Sequence, residues 1–347
     1  MTALPTHYGT YEIPSLIRQL FELEQELQQE DLSLDRAFPC MLIEDDFRYS
    51  FTPLDVIPLA STGMDGIHYG LLTDFGLAPD LDQAWIVTVS PMDSDCPIRP
   101  VAANLLDWLR AMYTDADALI NAFEHGADYR EYVRTREPHE PDEEASEIRR
   151  RLAERFGIIP ITDMGAYLDE MREQRKQAVD RETEDGVGVV STQRTADLGG
   201  QAAAGRIVRA GDSSDPVILA EDQGDPVIRA DDPAASGMEH LSPTALPALD
   251  RDFDWGERRE EIQSFWAQAS SDDKHVFLRN AQLYSIFQQP SCLEWFMDRL
   301  KRDGLPEYAA NLGSSFEYML EPQAQASHTS VIMWSSESAS YGDEQDD

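Results

Sequence analysis

Positive charge is scarce in this sequence of 347 residues, which holds 28 Lys and Arg against 66 Asp and Glu. The formal net charge is −38, and lysine occurs only at Lys176, Lys274 and Lys301. Such a chain lacks the cationic surface that phosphate backbones and anionic membranes attract. The composition therefore argues against a nucleic-acid or membrane-surface binder and favours a basic protein partner. The same acidity is also compatible with a GC-rich genome or a salt-rich cytoplasm.

Cysteine is sparse as well, with Cys40, Cys96 and Cys292 scattered and no CxxC pair. The sequence thus lacks both the ligand spacing of structural zinc and the framework of a disulfide-rich secreted domain. Neither a secretory signal nor an apolar run of membrane-spanning length is evident. We therefore expect a cytoplasmic protein.

The motifs that usually carry catalysis are missing too, since GxGxxG, GxxxxGK[ST], GxSxG and HExxH do not occur. The acidic clusters 44–46 and 93–95 could hold a divalent cation but lack EF-hand spacing, so we interpret them as solvated turns. We expect no enzyme activity, no cofactor and no metal. The alternative is an enzyme with a dispersed carboxylate and His site, because His68 lies in a predicted strand close to Asp65.

Charge and periodicity divide the chain into five segments. We predict an α+β domain over 1–126, a helical hairpin extension over 127–185, a flexible linker over 186–250, a small all-α domain over 251–322 and an acidic tail over 323–347. In the first segment, Leu16, Leu20, Leu23 and Leu27 form a helical stripe. Strands are predicted at 38–43, 47–51, 55–60, 67–72 and 85–89, and a second helix over 101–124.

The remaining segments carry helix-end signals and a repeat. In the hairpin extension, Gly157 is predicted to end one helix, and Thr162 or Asp163 to begin the next. The C-terminal domain should contain helices that start near Ser271, Ser291 and Pro306. Three short apolar units at 206–210, 216–220 and 226–230 recur with a ten-residue period inside the predicted linker. They indicate a flexible segment or, alternatively, peptides that add a strand to a partner's sheet.

The first segment resembles the SUKH superfamily of Smi/Knr-type proteins. An N-terminal amphipathic helix is followed by residues 59–70 (LASTGMDGIHYG), by 85–89 (WIVTV) and by 104–109 (NLLDWL). The Thr-Gly-x-Asp-Gly turn, the V-x-V strand and the following helix are typical of that family in order and approximate spacing. The family's Trp-Gly near the first strands is absent. The resemblance implies a compact α+β fold, and it implies no fixed catalytic residues.

Many SUKH members are immunity proteins that bind and block toxins, often nucleases, and others are scaffolds. The resemblance and the charge together predict a non-catalytic module that binds a basic partner, such as a nuclease toxin. The candidate contact residues lie in predicted loops between strands. They are Asp45, Asp46, Asp65, Asp93 and Asp95. An acidic protein that mimics nucleic acid is a further alternative.

Overall fold

The computed structural model describes residues 5, 7–93, 96–137, 140–192 and 245–320. The N-terminal part combines helices with a sheet. Its elements are α1 (Ser15–Gln28), β1 (Met41–Leu42), β2 (Val56–Ser61), β3 (His68–Leu72), β4 (Trp85–Val89), β5 (Ile98–Ala102), α2 (Leu105–Asp115), α3 (Asp117–Ile120), α4 (Gly126–Thr135), α5 (Glu143–Phe156) and α6 (Met164–Ala178). The C-terminal part is helical, with α7 (Trp255–Gln268), α8 (Ser271–Leu283), α9 (Pro290–Arg302), α10 (Pro306–Ser315) and α11 (Glu317–Leu320). The α+β character of the first part and the helical character of the last are as predicted.

The five strands form one antiparallel sheet in chain order, β1-β2-β3-β4-β5. His68 pairs with Ser61 of β2 on one side and with Val89 of β4 on the other. The β2–β3 turn and the β4–β5 loop therefore leave the same end of the sheet, which we call the loop end.

Three of the predicted strands agree with β2, β3 and β4 to within one residue, whereas the rest of the strand prediction needs correction. The strand predicted over 38–43 is reduced to Met41–Leu42, and 47–51 forms no strand. Aromatic side chains made 47–51 look strand-like, but they cluster on the sheet's face instead of pairing along its edge. The helix predicted over 101–124 overlaps the edge strand β5, which the sequence did not predict. An edge strand can contain Pro100 because one side of it forms no hydrogen bonds with a neighbouring strand. The helix α2 begins only after Asn104, whose side chain accepts a hydrogen bond from the Asp107 N–H.

The two faces of the sheet are covered by different parts of the chain. Side chains alternate along each strand, so Tyr69 and Leu71 face a core built with α1, α2, α5 and α6. Their neighbours Leu72 and Val56 face the other way, into a smaller cluster completed by Val187. The sheet is therefore buried on both sides.

The 127–185 segment holds three helices, since α4 precedes the two that the sequence predicts. Asp142 caps α5 by accepting from the Ala145 N–H, and Asp163 caps α6 by accepting from the Ala166 N–H. Gly157 ends α5 with φ +61°, a conformation that glycine adopts without steric cost. The end of α5 at Gly157 and the start of α6 at Asp163 could be predicted from the sequence, because capping depends on local residue types.

The packed chain continues past the predicted start of the linker at residue 186. Val189 forms a bridge with Arg181, and both Val187 and Val189 are buried. The described chain stays packed here, because Ser191 and Thr192 bond to Asp272 of α8. The repeats at 206–230 and the tail at 323–347 lie outside the described residues, and what was predicted for them stays a prediction.

The C-terminal helices surround an aromatic core that includes Trp266, Phe277, Phe287 and Phe296. The sequence did not predict α7, where buried Trp255, Ile262, Phe265 and Trp266 are interrupted by a charged run. Within the described ranges, we find no helix with both the length and the apolar character needed to cross a bilayer.

The C-terminal helices also pack directly against the sheet region. The Gln282 side chain accepts from the Leu54 N–H at 2.9 Å and donates to the Thr52 carbonyl at 2.6 Å. The Asn311 amide donates to the Leu54 carbonyl at 2.7 Å. Because these bonds satisfy main-chain groups of a buried segment, the helical region is fixed to the sheet region and is not held by a linker alone.

Candidate functional site

The predicted contact residues lie in loops at or near one end of the sheet. Asp45 and Asp46 belong to the β1–β2 connection, Asp65 to the β2–β3 turn and Asp93 to the β4–β5 loop. Asp95 lies outside the described residues. These acids belong to three loops between strands that are neighbours in the sheet.

Close approach at Gly66 shows that these loops touch. A Cβ at this position would lie 2.5 Å from Tyr49 Oη and 3.0 Å from Pro91 Cγ. Gly66 also has φ +69°, so both its conformation and its surroundings favour the absence of a side chain. Tyr49 comes from the β1–β2 connection and Pro91 from the β4–β5 loop, so three separate loops meet around this glycine.

Large apolar side chains are exposed at the same end. Met41 is 49% exposed, Phe47 41%, Met64 54% and Met92 78%, and these four form what we call the methionine surface. They are four of the seven exposed large hydrophobic residues in the described chain. Met41 lies beside the β2–β3 turn, since its Sδ would be 3.0 Å from a Cβ at Gly63. Clustered exposed apolar residues mark interaction sites more often than scattered ones do, and methionine adapts its shape to a partner.

The acids around the methionine surface fall into two groups. Asp46 accepts a hydrogen bond from Arg48 Nε at 2.8 Å, and Asp93 is paired with Arg99 at 2.6 Å. Asp45 and Asp65 are exposed, and neither forms an ion pair with any described residue. Because the Arg48 side chain is only 1% exposed, the charges that these loops present to solvent are mainly negative.

His68 lies beneath these loops and is fully buried. Its Nε2 is 3.4 Å from Thr52 Oγ1, its Nδ1 is 3.3 Å from the Gly66 carbonyl oxygen, and its ring contacts Phe47 and Tyr49. Burial lowers the pKa of His68 from 6.5 to about 4, so the ring is neutral near pH 7. The described contacts do not include Asp65, so the His–Asp pair considered in the alternative is not assembled.

A second group of charged residues, which sequence reasoning missed, lies where the C-terminal helices meet the sheet region. We call Asp55, Asp74, Arg175, Asp185 and Arg279 the junction cluster. Arg279 reaches Asp55 at 2.8 Å and Asp185 at 3.3 Å, with all three side chains fully buried. Arg175 binds Asp74 through two bonds of 2.7 and 3.0 Å. These partners are separated by 94 to 224 residues, so no local pattern could reveal them.

Geometry around the junction cluster indicates a structural role. Asp74 and Phe75 both have positive φ, at 48° and 54°, which is uncommon for residues other than glycine. The Phe75 ring stacks on His275 at 4.0 Å, which fixes this turn against α8. Burial acts to lower the pKa of Arg279, but the carboxylates of Asp55 and Asp185 outweigh it and raise that pKa, so the guanidinium stays charged.

Among the described residues, no group of three or more His, Cys, Asp or Glu side chains is arranged to hold a metal ion. The 93–95 cluster is only partly within that part of the chain.

Comparison with known proteins gives no match: no family model fits the sequence, and no curated protein or solved structure is significantly similar. The resemblance to the SUKH superfamily therefore stays a prediction.

Proposed function

We propose that this chain is a non-catalytic, cytoplasmic binding protein of SUKH type that holds a basic protein partner at the loop end of its sheet. An immunity protein that blocks a nuclease toxin is the form of this function that the resemblance favours. The observation that carries the proposal is the methionine surface with exposed carboxylates beside it. An apolar centre with charges at its edge is the usual anatomy of a protein interface.

The two parts of this surface would contribute differently to binding. Burial of the methionine and Phe47 side chains supplies non-directional affinity of about 25 cal/mol for each Å² removed from water. Asp45 and Asp65 attract a cationic partner over longer distances and mainly raise the rate of association. A nuclease fits this chemistry because its phosphate-binding surface is basic.

The helices are less suited to such a partner, which also disfavours the nucleic-acid mimic. Glu26 on α1 and Glu30 just after its end are paired with Arg155 and Arg151 on α5, each at 2.6 Å. A carboxylate that already holds an arginine has little attraction left for a second cation. These two acids thus serve contacts within the chain.

The proposal is tested by site-specific photo-crosslinking in a lysate of the source cells. A benzophenone amino acid at position 92 should capture a basic protein, whereas the same probe at Leu106, which is 44% exposed on α2, should not. Capture should fall with Met64→Ser and should become less salt-dependent with Asp45→Asn and Asp65→Asn together. Equal capture at both positions, capture of acidic proteins only, or indifference to Met64→Ser would contradict the proposal.

A further inference from the structure

A cavity of about 820 Å³ opens at the β5 edge of the sheet. Its walls are β5, the chain at 122–124, the C-terminal half of α6 and the segment 179–188. Its volume is in the range that holds a small organic ligand. Apolar side chains form much of the wall, among them Ile98, Phe123, Val179 and Val187.

Basic residues are enriched in the wall of the cavity compared with the chain as a whole. Five basic residues line it (Arg99, Arg172, Arg175, Lys176 and Arg181) against four acids (Glu124, Asp180, Glu182 and Asp185). In the whole chain the acids outnumber the bases, 66 to 28. On α6, Arg172 is one helical turn from both Arg175 and Lys176, and all three line the cavity.

Three of these cations are already balanced by carboxylates that do not line the cavity. Arg175 is paired with Asp74 at 2.7 Å, Arg99 with Asp93 at 2.6 Å and Arg181 with Asp273 at 2.7 Å. Asp185, an acid of the wall, is held by Arg279 at 3.3 Å. These four residues are therefore committed to the fold.

Arg172 and Lys176 remain as the cations without such a partner. Arg172 donates to the main-chain carbonyls of Glu124, at 2.9 Å, and Phe123, and forms no ion pair with a described residue. Lys176 is exposed and likewise has no ion pair in the described ranges. Both line one apolar-walled space, and the wall's remaining acids, Glu124, Asp180 and Glu182, are exposed to solvent. An anion seated on the apolar wall would therefore lie beside Arg172, which is only partly exposed, and Lys176.

We propose that this cavity binds a small organic anion with an apolar body. Its carboxylate, phosphate or sulfonate group would lie beside Arg172 and Lys176, and its apolar part would lie against Ile98, Phe123, Val179 and Val187. Neither a metal cation nor a bare inorganic anion uses both features of the site. The cavity and the methionine surface have no residue in common.

The first test titrates the full chain with 1-anilinonaphthalene-8-sulfonate, an aromatic sulfonate whose fluorescence rises on binding. We expect saturable binding of one equivalent, with competition by long-chain carboxylates and little competition by inorganic phosphate. Arg172→Gln should weaken the affinity about tenfold and Lys176→Gln about threefold, as for the loss of one charge-assisted contact each. Arg172→Lys should recover part of the loss.

Matched controls locate the probe. Arg302→Gln removes an exposed arginine of α9 and should leave the affinity unchanged. The double substitution Met64→Ser with Met92→Ser should also leave it unchanged, which distinguishes the cavity from the methionine surface. Ala122→Trp places bulk at a lining position and should abolish binding. Thermal melting of each variant shows that the fold is retained.

Cys96 provides a second readout that does not depend on fluorescence. It lines the cavity and is partly exposed, whereas Cys40 and Cys292 are buried, so a thiol reagent applied to the folded chain reports mainly on Cys96. A saturating concentration of the anilinonaphthalene sulfonate should slow its modification several-fold. Non-saturable binding, insensitivity to both Arg172→Gln and Ala122→Trp, or unprotected Cys96 would overturn the proposal.

Discussion

The loop end of the sheet and the junction with the C-terminal helices both gather carboxylates, but they treat them in opposite ways. At the junction, Asp55, Asp74 and Asp185 are buried and bound by two arginines. At the loop end, Asp45 and Asp65 are exposed beside apolar side chains that are exposed too. The comparison teaches that acidity alone does not mark a binding surface. What distinguishes the loop end is charge that the fold leaves available.

The largest effect on stability is expected from removing Arg279, the central cation of the junction cluster. Arg279→Met leaves Asp55 and Asp185 buried without their partner, which should destabilise the fold by about 3–5 kcal/mol. Urea denaturation followed by circular dichroism measures the change in free energy of unfolding.

The control is Arg302→Met, which removes an arginine that pairs with Asp298 at the surface, its own side chain 72% exposed. A surface pair of this kind contributes up to about 1 kcal/mol. If both variants lost the same small amount of stability, the structural role of the junction cluster would be refuted.

The two buried histidines, one in each region, allow a pH test. Burial lowers the pKa of His68 and of His275 from 6.5 to about 4. Above pH 6.5 neither state of the chain binds these protons. As the pH falls below that value, the unfolded chain takes them up and the folded chain resists until about pH 4, so stability declines by up to about 3 kcal/mol per histidine.

Unfolding free energies measured between pH 7.5 and 4 should therefore fall less steeply for His68→Gln and for His275→Gln than for the unchanged chain. His125→Gln is the control, because that side chain is 70% exposed. An identical pH slope in all four proteins would contradict the assignment of both rings as buried and neutral.

A smaller effect is expected where the loops touch. Gly66→Ala forces a residue with a side chain into φ +69° and against Tyr49, and should destabilise the fold by about 1–2 kcal/mol. Gly157→Ala has a similar φ of +61° but open space around it, so it should lose only about 1 kcal/mol. Thermal melts separate the two contributions, and equal losses would show that the contact with Tyr49 carries no energy.

The smallest effect should come from the exposed residues themselves. Met64→Ser, Met92→Ser and Asp65→Asn are each expected to change the unfolding free energy by no more than about 0.5 kcal/mol, because they leave no cavity or unpaired charge behind. A loss of more than 1 kcal/mol in urea denaturation would mean that these side chains support the fold and are not free for a partner.

Local signals predicted the parts of the fold that depend on neighbouring residues. The leucine stripe of α1, the caps at Asp163 and Gly157 and the central strands could all be read from short stretches of sequence. The sequence did not predict β5, because Pro100 and the apolar residues after it fit the start of a helix as well as an edge strand.

The candidate site was predictable only in part. Turn chemistry placed Asp45 and Asp65 in loops, but exposure of Met64 and Met92 depends on what the rest of the chain leaves uncovered. The sequence did hold one signal for this exposure. Met64 lies inside the turn at 61–66 and Met92 directly follows Pro91, and apolar residues are unusual in turns. The junction cluster and the α6 cavity had no such signal, because tertiary contacts bring their members together.

The hydrogen bonds from Gln282 and Asn311 to the segment before β2 have a consequence for synthesis of the chain. These contacts join positions 228 to 257 residues apart, so the ribosome must complete most of the protein before they can form. Until then, main-chain groups of the segment 52–54 lack these partners, and we expect nascent chains to need chaperone protection for that interval.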